Sequence, residues 1–334
     1  MKKLPVFITL GALLLLCVMT AAMLGTTEVT FADAAAAIFR AGDDATVAEI
    51  IWKARMPRIL LAVIVGAGLA VAGAVFQGML RNPLADPFTL GISGGAAFGA
   101  VVAIIFKPLA GEVAHALLLP AFAFAGALLA VAAVYALAAR KRFSVPALIL
   151  GGVVMSFLFS SMVLFIFAVS APNDVHGALG WIMGDLSSES RSVTLGYAAA
   201  VLAGLAAIFL FARDLDILTL GEEKATHLGV EAEKLKKLLF VLTSLVTAVC
   251  VAAAGIIGFV GLMVPHILRR FTGPGHRALI PAAALGGAVL LLACDTLART
   301  ALPAQELPVG VVTGILGGVF FLALFLNTKR WEVF

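Results

Sequence analysis

Residues 55–100 read RMPRILLAVIVGAGLAVAGAVFQGMLRNPLADPFTLGISGGAAFGA, two apolar runs joined by a short polar corner. The first run, 58–80, carries no charge beyond Arg58 and is long enough to cross a bilayer as a helix, which takes about 20 apolar residues for roughly 30 Å of hydrocarbon. The second, 88–106, follows Arg81–Pro87, where two prolines pre-set a stiff, extended turn with fewer donors to satisfy. Gly66, Gly68, Gly73 and Gly78 in the first run and Gly94, Gly95 and Gly99 in the second are the small residues that let helix backbones approach closely within lipid.

The same pattern extends over the whole chain. Of 334 residues 62% are apolar and 13% charged, with a mean hydropathy of +1.12, against about 45–50% and 25% in soluble domains. Apolar runs punctuated by charge, Gly and Pro predict spans at 4–24, 58–80, 88–106, 115–139, 146–169, 193–212, 235–254, 256–270, 278–299 and 308–327. The expectation is an all-α polytopic membrane protein, ten transmembrane helices in one bundle, with residues 1–334 a single domain. Lys2 and Lys3 ahead of Leu4–Leu24 resemble a secretory signal, but the run is longer than a usual signal core and reads as a retained first span. The runs at 235–254 and 256–270 meet at Gly255 with almost no loop, which leaves the second of them short and points to a tilted or re-entrant element.

An even number of spans puts both termini on one side. With that side cytoplasmic, the inner loops hold sixteen of the 23 basic residues, among them Lys2, Lys3, Arg81, Arg140, Lys141, Arg142, Lys236, Arg269, Arg270, Lys329 and Arg330. Outside remain Arg40, Lys53, Arg55, Arg58, Lys107, Arg191 and Arg299, the first four sharing a loop with five acids. The positive-inside rule therefore supports both termini cytoplasmic. The formal charge of +4 is accounted for by its distribution over loops facing the lipid bilayer, and no nucleic acid is implied.

Several function classes are disfavoured. No G-x-x-x-x-G-K-[ST] string occurs, so nothing in the chain cradles ATP phosphates. The middle of each predicted span lacks the Asp, Glu, His or Arg that ion-coupled carriers place there, His266, Asp295 and Arg299 falling toward helix ends. The five His residues are scattered, with no catalytic constellation and no metal set. Cys17, Cys250 and Cys294 lie in apolar runs and read as packing residues. The chain is thus expected to be no enzyme, to hold no cofactor, and to transport with energy supplied by a separate subunit.

The Arg55–Ala100 string, GFVGLMVPHILRRFTGPGHRALIPAAALGGAVLLLACDTLART at Gly258–Thr300 and ELPVGVVTGILGG at Glu306–Gly318 resemble the permease family of binding-protein-dependent ABC importers for ferric siderophores, haem and cobalamin. One departure is Val319 before Phe320 and Phe321, where that family commonly has proline. The resemblance implies a homodimer of ten-helix subunits with the substrate path between them, two cytoplasmic ATP-binding subunits below and a periplasmic or surface substrate-binding protein above. The implied cargo is an iron chelate, a ferric siderophore or haem, with cobalamin the alternative. From another class the alternative is an ion-coupled secondary carrier.

Particular residues follow. Arg55 and Arg58 flank Met56 and Pro57, and two guanidiniums three apart beside a proline-stiffened turn suit bidentate contacts to carboxylates. The family resemblance assigns Arg55, Arg58 and Arg299 to docking of the binding protein; interfacial anchoring is the plainer reading. Asp295 and Arg299 share a helix face at i,i+4. In the inner loop about 214–234, glycines 221 and 229 bracket a short helical stretch, and Gly221, Glu222, Ala225, Leu228 and Gly229 are expected to meet the ATPase, with Leu218 and Leu220 on the same apolar face. His266 reads as a helix-end anchor at the inner surface. Met155, Ser156, Ser160 and Ser161 on the fifth span are the candidates for the translocation path, although hydroxyls there can equally bond an i−4 carbonyl.

Overall fold

A computed structural model describes residues 3–25, 29–38, 45–105, 112–187, 191–302 and 305–326. Lys2, Arg40, Lys107, Lys329 and Arg330, used in the charge count, lie outside them. The helices, in chain order, are α1 (Leu4–Met23), α2 (Phe31–Ile38), α3 (Ala45–Glu49), α4 (Met56–Leu80), α5 (Ile92–Ile105), α6 (Glu112–Ala139), α7 (Val145–Ala168), α8 (Pro172–Ile182), α9 (Arg191–Leu210), α10 (Ala212–Thr219), α11 (Glu222–His227), α12 (Ala232–Ala254), α13 (Val260–Thr272), α14 (His276–Thr300) and α15 (Val309–Leu326). A helix occupies each of the ten apolar runs. Among the described residues eight helical segments are long and apolar enough to cross a membrane, and α5 is a shorter apolar helix of 14 residues. The all-helical, multi-pass reading holds.

α4 lies at the centre, packed by α14, α12, α13 and α9. Being apolar all round, it has no face to offer to water, and it is buried along nearly its whole length. The glycines work as the sequence predicts. A Cβ built on Gly66 would lie 2.3 Å from the Gly287 carbonyl oxygen, and one on Gly73 would lie 1.9 Å from that of Gly261. α4 and α14 are thereby held backbone to backbone, as are α4 and α13. Gly314 and Gly318 on α15 differ, having nothing within 4 Å of such a Cβ. α15 nevertheless runs unbroken through Val319.

Two departures from the predicted elements have physical causes. The proline-stiffened turn expected between Arg55 and Arg58 is instead helix, the chain being helical from Thr46 through Leu80. Residues Ile50–Arg55 form a π-helical stretch just before Pro57, and the wider π turn leaves room for the proline ring that an α-helical i−4 carbonyl would exclude. The predicted span 256–270 begins instead at Val260. α12 ends at Gly255 (φ +67°), residues to Gly258 are non-helical, and Phe259 enters the left-handed region at φ +68°. α13, with 13 residues, rises only about 20 Å. Non-helical backbone at such depth persists where protein covers it: the Ala254 carbonyl accepts the Asp185 N–H at 2.9 Å, and the Phe259 ring fills the space beside Gly317.

Candidate functional site

Functional side chains gather at the two ends of the α4–α14 pair. At one end Asp295, with 0% exposure, receives Arg58 through Nη2 at 2.9 Å and Nε at 3.1 Å, and Arg299 through Nε at 3.2 Å. The predicted i,i+4 bridge is therefore present, and Arg58 is added to it from α4. Arg58 also donates to Glu306, at the approach to α15, at 2.7 Å.

Arg55 and Arg299 turn inward, 6% and 9% exposed. Arg55 donates to the carbonyls of Ala22 and of Met23, the latter at 2.9 Å, and Arg299 to those of Leu24 at 3.1 Å and Ala21 at 3.4 Å. The last carbonyls of a helix have no partner within it and carry the negative end of its dipole; two cations close the end of α1. Of the two guanidiniums expected to flank the turn, that of Arg55 is thus buried, clamped with that of Arg299 on the end of α1. Arg58 alone reaches an open cavity of about 310 Å³, which it lines with Asp185, Ser187 and Glu306.

The other end holds the predicted coupling stretch. Gly221 (φ +114°) and Gly229 (φ +84°) bracket α11 as expected, each in a conformation that a side chain would strain. Of the four apolar residues expected to need cover, Leu218 and Ala225 are buried in the chain's own bundle, while Leu220 and Leu228 are exposed. Ala225 is thus removed from any outward-facing surface. An open groove of about 560 Å³ runs past Glu222, Glu223, Thr226, Glu233 and Lys237. The Arg81 corner stands beside this stretch: a Cβ on Gly221 would lie 3.5 Å from Arg81 Nη1. Within that corner Asp86 is buried and accepts the Phe88 N–H at 2.9 Å; burial raises its carboxyl to about 6, against the lowering effect of that bond.

Two residues here escape a sequence reading. Asp216 on α10 accepts both the backbone N–H of His276, at the start of α14, and its Nδ1 at 2.6 Å. Partial burial pushes the Asp216 carboxyl up, but the His276 bonds outweigh it and hold it below its ordinary value. Lys236, counted above among the inner-loop charges, is 1% exposed and donates to the Phe143 carbonyl at 2.6 Å and to Glu222 Oε1 at 3.0 Å. The signal was available: Ala232, Lys236 and Phe240 recur at i,i+4 on the apolar face of α12.

The FecCD transport family model matches residues 13–327. The chain belongs to the FecCD transport family. Relatives of this FecCD chain include the cobalamin import system permease protein BtuC of Halobacterium salinarum, 42% identical over 295 residues and spanning 88% of this chain and 78% of the relative. The hemin transport system permease protein HmuU of Yersinia pestis is 40% identical over 84% of each chain. The Fe(3+) dicitrate transport system permease protein FecD of Escherichia coli is 39% identical over 84% of this chain and 86% of its own. A solved structure described as an inward-facing conformation of a metal-chelate type ABC transporter superposes with a TM-score of 0.85 at 29% identity, over 96% of this chain and 98% of that one.

On the FecCD fold the path candidates separate. Ser160 and Ser161 on α7 are exposed, whereas Met155 and Ser156 are half-buried toward Gly91 and Gly94. Around the serines α7 exposes Phe157, Leu164 and Phe165, and α15 exposes Ile315, Val319, Leu322 and Phe325. His266 is not a surface anchor. It lies in mid-α13, buried, edge-on to Phe320 and Phe321 at ring separations of 5.8 and 6.3 Å.

Proposed function

We propose that this FecCD permease passes an iron chelate, a ferric siderophore or haem, across a bacterial inner membrane, as one of two copies assembled with two cytoplasmic ATP-binding subunits and an external binding protein. The observation that carries the proposal is the family match over residues 13–327, in a bundle with eight membrane-length helices. Cobalamin is the second reading, favoured by the 42% identity to a cobalamin permease. In this account all ten apolar helices lie within the membrane, both termini are cytoplasmic, and the segment about 214–234 faces the ATPase with Gly221, Glu222, Leu228 and Gly229 at its surface. Ala225 supports that segment from beneath.

The Arg58 end faces outward. Arg58 and Glu306 form the rim that a binding protein reaches, and Arg55 and Arg299 serve docking from below by fixing the ends of α1 and α14. The exposed apolar faces of α7 and α15 meet the second copy and enclose a passage that Met155, Ser156, Ser160 and Ser161 border. A weakly polar lining suits a bulky chelate that must not be gripped. ATP-driven movement of the inner segment then alternates access to that passage.

Two single changes test the assignment of the ends. Arg58→Gln is expected to weaken capture of the loaded binding protein by about tenfold, since it removes a charge from the docking rim, with ATPase association retained. Leu228→Glu is expected to do the reverse. Both are read by pull-down of each partner on the solubilised complex, and an Arg58→Gln variant with undiminished capture would remove the docking assignment.

A further inference from the structure

We propose that Lys236 is a positioning residue that ties the ATPase-facing segment to the root of α7, so that displacement of α11 is delivered to the corner from which α7 starts. The inference rests on the reading of α10 and α11 as the ATPase-facing segment.

An ammonium group has three donors and no acceptor, and a buried one must be paired and hydrogen-bonded. Lys236 satisfies this with two groups from different parts of the chain, the Phe143 carbonyl 93 residues away and Glu222 14 residues away. Glu222 is the first residue of α11, and Phe143 lies two residues before the start of α7 at Val145. One side chain therefore touches both the segment proposed to receive the motion and the corner that leads into the helix proposed to border the passage.

The corner is built to pass on a displacement. Arg142 (φ +51°) and Phe143 (φ +53°) are consecutive non-glycine residues in the left-handed region, which L side chains disfavour and which persists only when the surroundings enforce it. The enforcement is visible: the Phe143 N–H donates to the Ala138 carbonyl at 2.9 Å, and its ring is wedged edge-on between Tyr135 at 5.1 Å and Phe240 at 5.6 Å. Phe240 is one turn along α12 from Lys236 itself. A pull on the Phe143 carbonyl meets a fixed ring and a strained backbone, and the compliant direction is toward Ser144 and α7.

A local stabilising role predicts misfolding when the lysine is lost; a positioning role predicts a folded complex whose corner no longer responds to ATP. The test uses the full chain with Cys17→Ser and a spin label at exposed Lys141 (Lys141→Cys), reconstituted in nanodiscs with its ATPase. The distance between labels of the two copies is measured nucleotide-free and ATP-trapped. The parent is expected to show an ATP-dependent change, Lys236→Met to lose it while hydrolysis continues, and Lys236→Arg to retain it. Glu222→Ala, at a half-exposed position, cuts the other half of the link without emptying the core; because Glu222 also belongs to the ATPase-facing surface, its distance change is measured on complexes shown to retain the ATPase, and the same loss is expected. An undiminished change in Lys236→Met or in Glu222→Ala, or no change in the parent, overturns the proposal. Failure of the parent to assemble with the ATPase overturns the underlying reading by a separate observation, and this inference with it.

Discussion

Asp295→Ala is expected to lower stability by roughly 3–5 kcal/mol, the cost of breaking a buried ion cluster by removing one partner. Asp295 has no exposed surface and is the shared acceptor of Arg58 and Arg299. Without it two guanidiniums remain at the buried end of the α4–α14 pair with no common counter-charge, and Arg58 keeps only Glu306. Asp295→Asn, which keeps an acceptor oxygen and the side-chain shape, is expected to lose less. Replacing the buried cluster as a whole, Asp295→Leu with Arg58→Met and Arg299→Met, should recover much of the loss, since of the charged groups tied to the cluster only Glu306, which is half-exposed, then loses its partner. Thermal midpoints of the detergent-solubilised chain, followed by retention on size exclusion, give the ranking. An Asp295→Ala variant as stable as the parent would mean that these residues do not hold the helix ends.

Gly73→Val is the second large effect. The nearest atoms to a Cβ at Gly73 are the oxygen, carbonyl carbon and Cα of Gly261, at 1.9, 2.4 and 2.6 Å. All are backbone, so no flexible side chain can give way and α13 must move off α4. Overpacking costs about 1–3 kcal/mol where side chains can shift, and the rigid backbone here puts the expected cost at or above the top of that range. Moving α13 would also break the bond from Gln77 Nε2 to the Gly261 carbonyl and displace Arg269, which donates to Gln77. Gly11→Val, on a stretch of α1 with open space around it, is the matched control and is expected to be silent. The folded fraction recovered from membranes distinguishes the two. Equal recovery would contradict the close approach of α4 and α13.

What could be read in advance follows from how local each signal is. Apolar runs and small residues report on single helices, so the ten helical segments, the packing role of Gly66 and Gly73 and the Asp295–Arg299 bridge were all legible. Interactions between segments were not. Arg55 closes the end of α1 across 33 residues, and Arg58 meets Asp295 across 237; no periodicity within α4 reveals either partner. Lys236 was misread because charge near a span end was counted with the inner loop, although its i,i+4 neighbours are apolar. The turn at Pro57 was misread because proline is tolerated in a helix after a π-helical stretch, which depends on hydrogen-bond register and not on residue type. Ala225 was placed on the outer face because a six-residue helix has too few turns for its apolar side to be fixed without the bundle it rests on.

The central claim is that this FecCD chain is a passage moved by energy from another polypeptide. Sealed proteoliposomes containing the chain, with or without its ATPase, loaded with ATP or with ADP, and supplied outside with binding protein carrying a labelled ferric siderophore, haem or cobalamin, address it directly. The account predicts accumulation only with ATPase and ATP together, unchanged when proton and sodium gradients are collapsed. Accumulation against a gradient by the chain alone, abolished by an uncoupler, would contradict it.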